Sequence, residues 1–363
     1  MTLKCGIVGL PNVGKSTLFN ALTASAKAEA ANYPFCTIEP NSGTVAVPDP
    51  RLEKLAELAG SAKIIPAFIE FVDIAGLVAG ASRGEGLGNK FLAHIREVDA
   101  IVHVLRCFEN NDITHVHGKI DPLHDAEVIE TELMIADLES AEKRIVGVEK
   151  KAKTDKTLKP QLDLLIRCRE LLTEGVPLRK MQNVDYKELA SLQFITSKPI
   201  LYVCNVGEDE ASSGNAYSEK VAQKAASENA KYVVISSRIE SEISLLTSDE
   251  EKQEFLSSLG LNETGLSKII TSTYSLLNLA SFFTIGPKEA HAWTFEKNCL
   301  APAAAGIIHS DFEKGFIRAE IISYEDYSKL GSEAKAREQG KIRVEGKEYV
   351  MQDGDVVHFR FNV

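Results

Sequence analysis

The chain has 363 residues, which is enough for two or three ordinary domains and a sizeable buried core. Its hydrophobic fraction of 44% and charged fraction of 26% are typical of globular proteins, and 24 glycines with 12 prolines are too few for a low-complexity or collagen-like chain. With 41 basic against 52 acidic side chains, the formal net charge is −11. This charge excludes a general nucleic-acid binder and restricts any RNA contact to a local basic patch.

Cysteine spacing and hydropathy predict the compartment. The six cysteines form no C-x-x-C pair, and the chain does not open with a signal-peptide pattern, so a reducing environment is expected. The most apolar long stretch, residues 64–81, contains Pro66, Glu70 and Asp73, which would be costly in hydrocarbon. We therefore expect a cytoplasmic protein without a membrane span.

The first part of the chain alternates short apolar runs with helix-forming segments. A strand is predicted over residues 3–10, followed by a loop of Gly, Pro and Asn and a helix over 15–26. Further apolar runs, each typical of a buried parallel strand, occupy residues 67–72, 100–105, 199–204 and 232–235. This alternation predicts an α/β domain with a doubly wound, mostly parallel sheet.

A long polar interval separates the third and fourth of these strands and predicts an antiparallel helical hairpin. Apolar residues repeat there at three- and four-residue spacing, at Leu138, Ala141, Ile145, Val148 and Ala152, and again after Pro160 at Leu162, Leu165 and Leu172. The predicted tip concentrates positive charge at Lys150, Lys151, Lys153, Lys156 and Lys159. Two interpretations stay open, a solvated tip that aids solubility and a tip that contacts RNA.

The last part of the chain has the pattern of a small mixed-sheet domain. A helix is predicted over residues 266–279. Short strands with tight turns between them are predicted over residues 290–295, 316–322, 341–344, 348–350 and 356–361.

The sequence Gly9-Leu10-Pro11-Asn12-Val13-Gly14-Lys15-Ser16 matches the pattern G-x-x-x-x-G-K-[ST] between a predicted strand and a predicted helix. Such a loop curls backbone N–H groups around phosphates at a helix N-terminus. Lys15 would place a positive charge on the β- and γ-phosphates, and Ser16 would bind Mg²⁺. We therefore predict a nucleotide-triphosphate site.

Two further elements predict a switch. The strand ending in Asp73-Ile74-Ala75-Gly76 supplies a D-x-x-G sequence, in which Asp73 would hold the Mg²⁺ shell and the Gly76 N–H would sense the γ-phosphate. Thr37, in a proline-flanked loop between the two motifs, would close on Mg²⁺ only when a γ-phosphate is present. The set favours a nucleotide-dependent switch over a plain phosphate-binding loop.

Taken together, the motifs resemble the Obg-like ATPase family of the YchF type, within the translation-factor-related P-loop proteins. The resemblance spans essentially the whole chain and is carried by residues 9–17, 32–40, 73–81, 84–89, 205–208 and 353–363. It implies a G domain at 1–125 and 195–279, a coiled-coil insertion at 126–194 and a β-grasp domain of the TGS type at 280–363. Association with the ribosome is the family's expected setting.

The base-reading loop predicts ATP rather than GTP. Guanine-specific relatives carry N-K-x-D after the fourth strand, whereas this chain has Asn205-Val206-Gly207-Glu208. The longer Glu208 displaces the carboxylate, and Val206 replaces the lysine that would cover the base, so guanine pairing is degraded. The resemblance implies adenine contacts from Asn205 and Val206. Ser236, at the end of the next strand, is either a further nucleotide contact or a polar strand end.

Hydrolysis is expected to be slow because Leu77 follows Gly76, at the position where Ras-like enzymes carry a water-orienting glutamine. Val13, Gly14 and Thr17 complete the phosphate-loop contacts. Asn12 occupies the position at which potassium-dependent members of this hydrophobic-substituted class bind K⁺, which makes K⁺ a candidate cofactor besides Mg²⁺. His115, in a polar loop after the third strand, is a candidate for positioning the attacking water.

Three functions are compatible with these residues. The first is an ATP-dependent switch that acts on the ribosome or another RNA-protein particle. The second is a small-molecule kinase that uses the same phosphate loop, with the helical insertion as a lid. The third is a nucleotide-gated scaffold whose hydrolysis is incidental. The switch is favoured because the D-x-x-G element is superfluous in the kinase.

Overall fold

The computed structural model describes residues 3–30, 38, 39, 41–74, 86–246 and 248–362. The strands are β1 (Lys4–Val8), β2 (Ile38–Glu39), β3 (Ser42–Ala46), β4 (Ile64–Ile65), β5 (Phe68–Asp73), β6 (Ala100–Arg106), β7 (Ile200–Asn205), β8 (Lys231–Ile235), β9 (Leu279–Ile285), β10 (Ala290–Glu296), β11 (Phe316–Ser323), β12 (Arg343–Glu345) and β13 (Asp355–Phe361).

The helices alternate with these strands through the first part of the chain. They are α1 (Lys15–Ala30), α2 (Pro50–Ala59), α3 (Gly86–Glu97), α4 (Pro122–Ala152), α5 (Lys159–Thr173), α6 (Tyr186–Ser191), α7 (Ala216–Ser227), α8 (Ser237–Ile243), α9 (Asp249–Ser258), α10 (Gly265–Leu276), α11 (Ala301–Ile308), α12 (Ser310–Lys314), α13 (Tyr324–Leu330) and α14 (Glu333–Glu338). In the described part of the chain, no helix combines the length and the apolar character needed to cross a membrane.

The first sheet has the strand order β2-β3-β5-β1-β6-β7-β8 among the described residues. Its central strands pair in parallel, whereas β3 runs antiparallel to β5 at one side. β6 and β7 are buried along their whole length, as their continuous apolar runs predict. The predicted α/β fold with a mostly parallel sheet is confirmed. Residues 9–14 follow the carboxyl end of β1 and so lie at the edge of the sheet where such folds bind ligands.

The predicted antiparallel helical hairpin is formed by α4 and α5. α4 begins at Pro122, earlier than the expected insertion boundary at 126, because Asp121 caps it by accepting the His124 N–H at 3.3 Å. Ala141 and Ile145 pack against α5, so the apolar repeat does face the partner helix. The five lysines of the tip are all exposed.

Ion pairs join the base of the hairpin to the first sheet's helical layer. Arg179, which follows α5, pairs with Glu130 of α4 and, at 3.0 Å, with Glu228 at the end of α7. Burial alone would raise the pKa of Glu228, but the hydrogen bond from Lys224 and the charge of Arg179 lower it to about 2. The hairpin is therefore attached through buried ion pairs, in which removal of one partner would leave an unpaired buried charge.

The second sheet has the order β12-β11-β13-β9-β10-β4 among the described residues. Counted from β9, its last five strands follow the order 2-1-5-3-4, with β9 and β13 parallel and α11 and α12 between β10 and β11. This is the topology of a β-grasp fold, as the resemblance implies. The short strand β4 extends it by pairing in parallel with β10, so residues 64 and 65 add an edge from the first part of the chain.

Two local predictions in this part of the chain are wrong. Residues 277–279 do not complete the predicted helix, because α10 ends at Leu276 and Leu279 begins β9. Residues 348–350 do not form a strand beside β12. Their backbone instead bonds to the loop before α11, where the Ala301 N–H donates to the Tyr349 carbonyl at 2.9 Å.

The two sheets are joined through α2. Arg51 at its start pairs with Asp49 and, at 2.9 Å, with Asp353 in the turn before β13. The Asp353 carboxylate also accepts the Ser281 N–H of β9 at 3.0 Å. The guanidinium of Arg51 lies over the Phe283 ring at 5.3 Å. A segment that the sequence places in the first domain thus packs on the second sheet.

Candidate functional site

The phosphate loop connects β1 to α1 and needs glycine at two close approaches. A Cβ on Gly9 would lie 2.8 Å from the Val104 carbonyl oxygen, and one on Gly14 would lie 2.2 Å from Asn205 Nδ2. Gly14 also has φ +95°, and Asn12 has φ 65°, both in the left-handed region. The loop is therefore shaped by backbone conformations that most residues avoid.

Asn205 at the end of β7 ties the phosphate loop to two neighbouring loops. Its Nδ2 donates to the Val13 carbonyl at 2.8 Å, and its Oδ1 accepts the Ser237 N–H at 2.9 Å. The side chain is only 4% exposed. The structure thus brings together Val13, Gly14 and Asn205, which the sequence assigns to one nucleotide site, with Ser237, the residue after the candidate Ser236. The Asn205 amide holds the protein backbone at this point.

The base-reading loop carries an ion pair that sequence reasoning missed. Val206 is buried, and its N–H donates to the Ile235 carbonyl at 2.9 Å. Glu208 is partly exposed and pairs through Oε1 with Arg238 Nε at 2.9 Å. Arg238 lies in the first turn of α8, and no local pattern in the sequence marks it as the partner of Glu208.

The residues expected to bind Mg²⁺ lie at the start of α1 and the end of β5. Lys15 forms an ion pair with Asp73, and the side chains of Ser16 and Thr17 are exposed at the helix start. A carboxylate and a hydroxyl are the hard oxygen ligands that Mg²⁺ prefers, and this ion usually takes few ligands from the protein. Thr37, Gly76 and Leu77 lie outside the described residues. Among the described residues, no three or more His, Cys, Asp or Glu side chains are arranged so that they could hold a metal ion.

His115 lies in the loop between β6 and α4 and is 7% exposed. Its Nε2 lies 2.9 Å from Asp125 Oδ2, and its Nδ1 accepts the His117 N–H at 3.2 Å. The loop contacts the phosphate loop through Asn12, whose Nδ2 donates to the Thr114 carbonyl at 3.1 Å. Water positioning by His115 would require Nδ1 to exchange the His117 N–H for a water molecule.

Arg106, at the end of β6, and Asp125, in the first turn of α4, flank this loop and were not identified from the sequence. The buried Arg106 guanidinium donates to the carbonyls of Phe108, Asn110 and Ile113, at 2.9 to 3.2 Å. Burial lowers the pKa of Arg106, which the charge of Asp125 partly offsets. Burial also raises the pKa of Asp125, against the hydrogen bond with His115. The available sequence signal was an arginine at the end of a mostly apolar strand. Its hydrogen-bond partners, however, are known only from the tertiary structure.

A glycine-rich loop after the first parallel strand, with Lys15 and Ser16 opening the next helix and Asp73 ending the neighbouring strand, defines a P-loop nucleotide-binding protein of the switch class. Family comparisons extend this assignment. Residues 4–151 match a family described as "50S ribosome-binding GTPase", and residues 279–362 match YchF-GTPase_C, described as "Protein of unknown function (DUF933)". The chain belongs to the YchF family.

Relatives are similar over the full length. The ribosome-binding ATPase YchF of Bacillus subtilis is 56% identical over 368 residues, and that of Escherichia coli O157:H7 is 53% identical over 367 residues, each with 100% of both chains covered. The structure of the Schizosaccharomyces pombe YchF GTPase superimposes with a TM-score of 0.89 at 40% identity, covering 99% of this chain and 98% of that one. The family resemblance drawn from the motifs is therefore confirmed.

The contact between Gly14 and Asn205 generates a first prediction. Gly14→Ala should reduce nucleotide affinity by at least about 100-fold and destabilise the fold by about 1–3 kcal/mol, because the new Cβ meets Asn205 at a left-handed backbone position. Isothermal titration and urea unfolding measure the two effects.

Gly147 provides the matched control, because it lies inside α4 and a Cβ added there would meet no described atom within 4 Å beyond the backbone of its own helix. Gly147→Ala should leave affinity unchanged and stabilise the fold by up to about 1 kcal/mol. Native affinity in Gly14→Ala would contradict the assigned role of this loop.

Proposed function

We propose that this chain binds ATP with Mg²⁺, hydrolyses it slowly and acts as a nucleotide-dependent switch on the ribosome, in the cytoplasm. One observation carries the proposal: a phosphate loop held by Asn205 beside a base-reading loop that lacks the lysine and aspartate of guanine readers. The names of the bacterial relatives, ribosome-binding ATPase, support both the nucleotide and the partner.

The choice of ATP is supported by the partner of Glu208. A guanine-reading carboxylate must accept two hydrogen bonds from the base, whereas one of the two oxygens of Glu208, Oε1, is paired with Arg238 at 2.9 Å. Val206 is buried and cannot cover a base as a lysine stem would. The name of the yeast structure, YchF GTPase, points the other way and makes the purine preference the first property to measure.

Mg²⁺ would be held by Ser16, Asp73 and Thr37, and would neutralise charge on the transferred phosphate. Asn12 supports a second cation, K⁺. Its Nδ2 donates to the Thr114 carbonyl, so its amide oxygen would be the atom that serves as a hard ligand for this ion. Lys15 supplies a fixed positive charge at the phosphates, and Leu77 supplies no polar group to orient the water, which favours slow turnover.

The ribosome would be contacted in part through the tip of the helical hairpin. Lys150, Lys151, Lys153, Lys156 and Lys159 are exposed there, in a chain whose net charge is −11. A local positive patch on an acidic protein is the arrangement that allows RNA contact without general nucleic-acid binding.

The proposed domains are a G domain at 1–125 and 195–279, a hairpin insertion at 126–194 and a TGS-type β-grasp domain at 280–363. The two sheets and the hairpin support this division. The first and last domains are in contact through the pairing of β4 with β10 and through the packing of α2 on the second sheet.

Purine preference is predicted as follows. The native chain should bind ATP at least as tightly as GTP, and Glu208→Asp combined with Val206→Lys should shift the ratio of affinities toward GTP by about tenfold or more, because the guanine-reading pair is restored. Titration with both nucleotides measures the ratio. Turnover should yield ADP and free phosphate. GTP selectivity in the native chain, or phosphorylated small molecules as products, would contradict the proposal.

The cation prediction separates the two metal ions. Turnover should stop when EDTA removes Mg²⁺, and should be about tenfold or more faster in K⁺ than in Na⁺, because the smaller ion fits a cage of amide and phosphate oxygens poorly. Asn12→Ala should remove the difference between K⁺ and Na⁺. Equal rates in both salts for the native chain would exclude a K⁺ ligand at Asn12.

The ribosome prediction uses charge reversal at the hairpin tip. Lys153→Glu with Lys156→Glu should reduce the fraction that cosediments with ribosomes and weaken its dependence on salt, because phosphate contacts release counterions. Lys187→Glu with Lys220→Glu, at exposed positions away from the tip, is the control of equal charge. The ATP- and ADP-bound forms should also cosediment to different extents. Equal binding in all states would contradict a switch.

A further inference from the structure

The ring of His115 is held in one tautomer. Its Nδ1 accepts the His117 N–H at 3.2 Å, so the proton of a neutral ring lies on Nε2, which faces Asp125 Oδ2 at 2.9 Å. Both side chains are buried, with 7% exposure for His115 and 1% for Asp125. The His117 N–H and the Asp125 carboxylate, which can only accept, therefore select the same tautomer, and the carboxylate also fixes the orientation of the ring.

This ring lies one residue from the phosphate loop's contact with the rest of the protein. Asn12 donates to the carbonyl of Thr114, the residue before His115. Arg106 holds the preceding segment through three backbone carbonyls, and Thr114, which follows that segment, contacts the phosphate loop through Asn12. The hydrogen bond from Asn12 therefore reaches the peptide group that joins Thr114 to His115.

Asp125 is costly as a purely structural residue. It is buried, and its Oδ1 has no hydrogen-bond partner in the described part of the chain. The groups that face it are His115, His117, His124 and the positive charge of Arg106. A buried carboxylate oxygen without a partner is rare in a residue kept for stability, and such groups concentrate at functional sites.

We propose that Asp125 is a positioning residue for ATP hydrolysis. Its carboxylate holds the Nε2–H tautomer of His115, so that Nδ1 accepts a hydrogen bond from the attacking water once the His117 N–H has moved away. Asp125 acts only through His115 and does not touch the nucleotide. This inference rests on the proposed ATP hydrolysis and on the predicted role of His115, and it supplies the group that Leu77 lacks.

The test compares kcat and ATP affinity in Asp125→Asn, His115→Ala and the double variant. Asp125→Asn keeps the shape but removes the charge that selects the tautomer, so kcat should fall about tenfold or more while the Kd for ATP changes less than about twofold. In the His115→Ala background, Asp125→Asn should cause no further loss of kcat. Asp112→Asn, at an exposed position of the same loop, should keep native turnover and is the matched control.

Three results would overturn the inference. Native kcat in Asp125→Asn would exclude positioning. A further loss in the double variant would show that Asp125 acts through Arg106 or the fold. Native kcat in His115→Ala, with ATP still hydrolysed, would remove the residue through which Asp125 acts. A native chain that hydrolyses no ATP at all would instead contradict the proposed function itself.

A measurement on the native chain keeps the inference testable if the variants fold poorly. The ¹⁵N chemical shifts of the His115 ring, read by NMR in the nucleotide-free protein, should show a protonated Nε2 and an unprotonated Nδ1. In Asp125→Asn the shifts of the two nitrogens should move toward each other, because the Asn amide can either accept from a protonated Nε2 or donate to an unprotonated Nε2, whereas the carboxylate only accepts. A protonated Nδ1 in the native chain would overturn the inference.

Discussion

The Asn205 side chain donates from Nδ2 to the Val13 carbonyl and accepts at Oδ1 from the Ser237 N–H, at 2.8 and 2.9 Å. These two bonds hold the phosphate loop, the end of β7 and the start of α8 as one unit. Their geometry requires glycine at position 14, because a Cβ there would lie 2.2 Å from the amide nitrogen. Water would compete for these hydrogen bonds if they were exposed. Because the amide is buried, the hydrogen bonds hold the loops in fixed positions relative to one another.

A second consequence concerns distance along the chain. Asp125 lies in the first turn of α4, and Lys150 and Lys151 lie in its last turn. At 1.5 Å per residue the two ends are about 40 Å apart, joined by one continuous helix. The ion pairs of Arg179 with Glu130 and Glu228 anchor the same helix near its start. Asp125, which contacts His115, and the positive tip therefore lie at the two ends of one continuous helix.

The sequence alone determined whatever depends on near neighbours. The spacing of Gly9, Gly14 and Lys15 predicted the phosphate loop, because backbone conformation there is set within eight residues. Continuous apolar runs predicted β6 and β7, and the three- and four-residue repeat predicted the hairpin with its lysine tip. The same local signals failed at residues 348–350, whose strand-like composition did not reveal that their backbone bonds to the loop before α11.

Only the tertiary structure decided the pairings between distant residues. Asn205 meets a carbonyl 192 positions away, and β4 joins β10 across a similar span. Glu208 with Arg238, and His115 with Asp125, are closer in sequence, but each pair joins a loop to a helix whose direction depends on packing. Hydrogen bonds and ion pairs are directional and short-ranged, so they exist only once the core has set the distances. The residue types alone do not determine those distances.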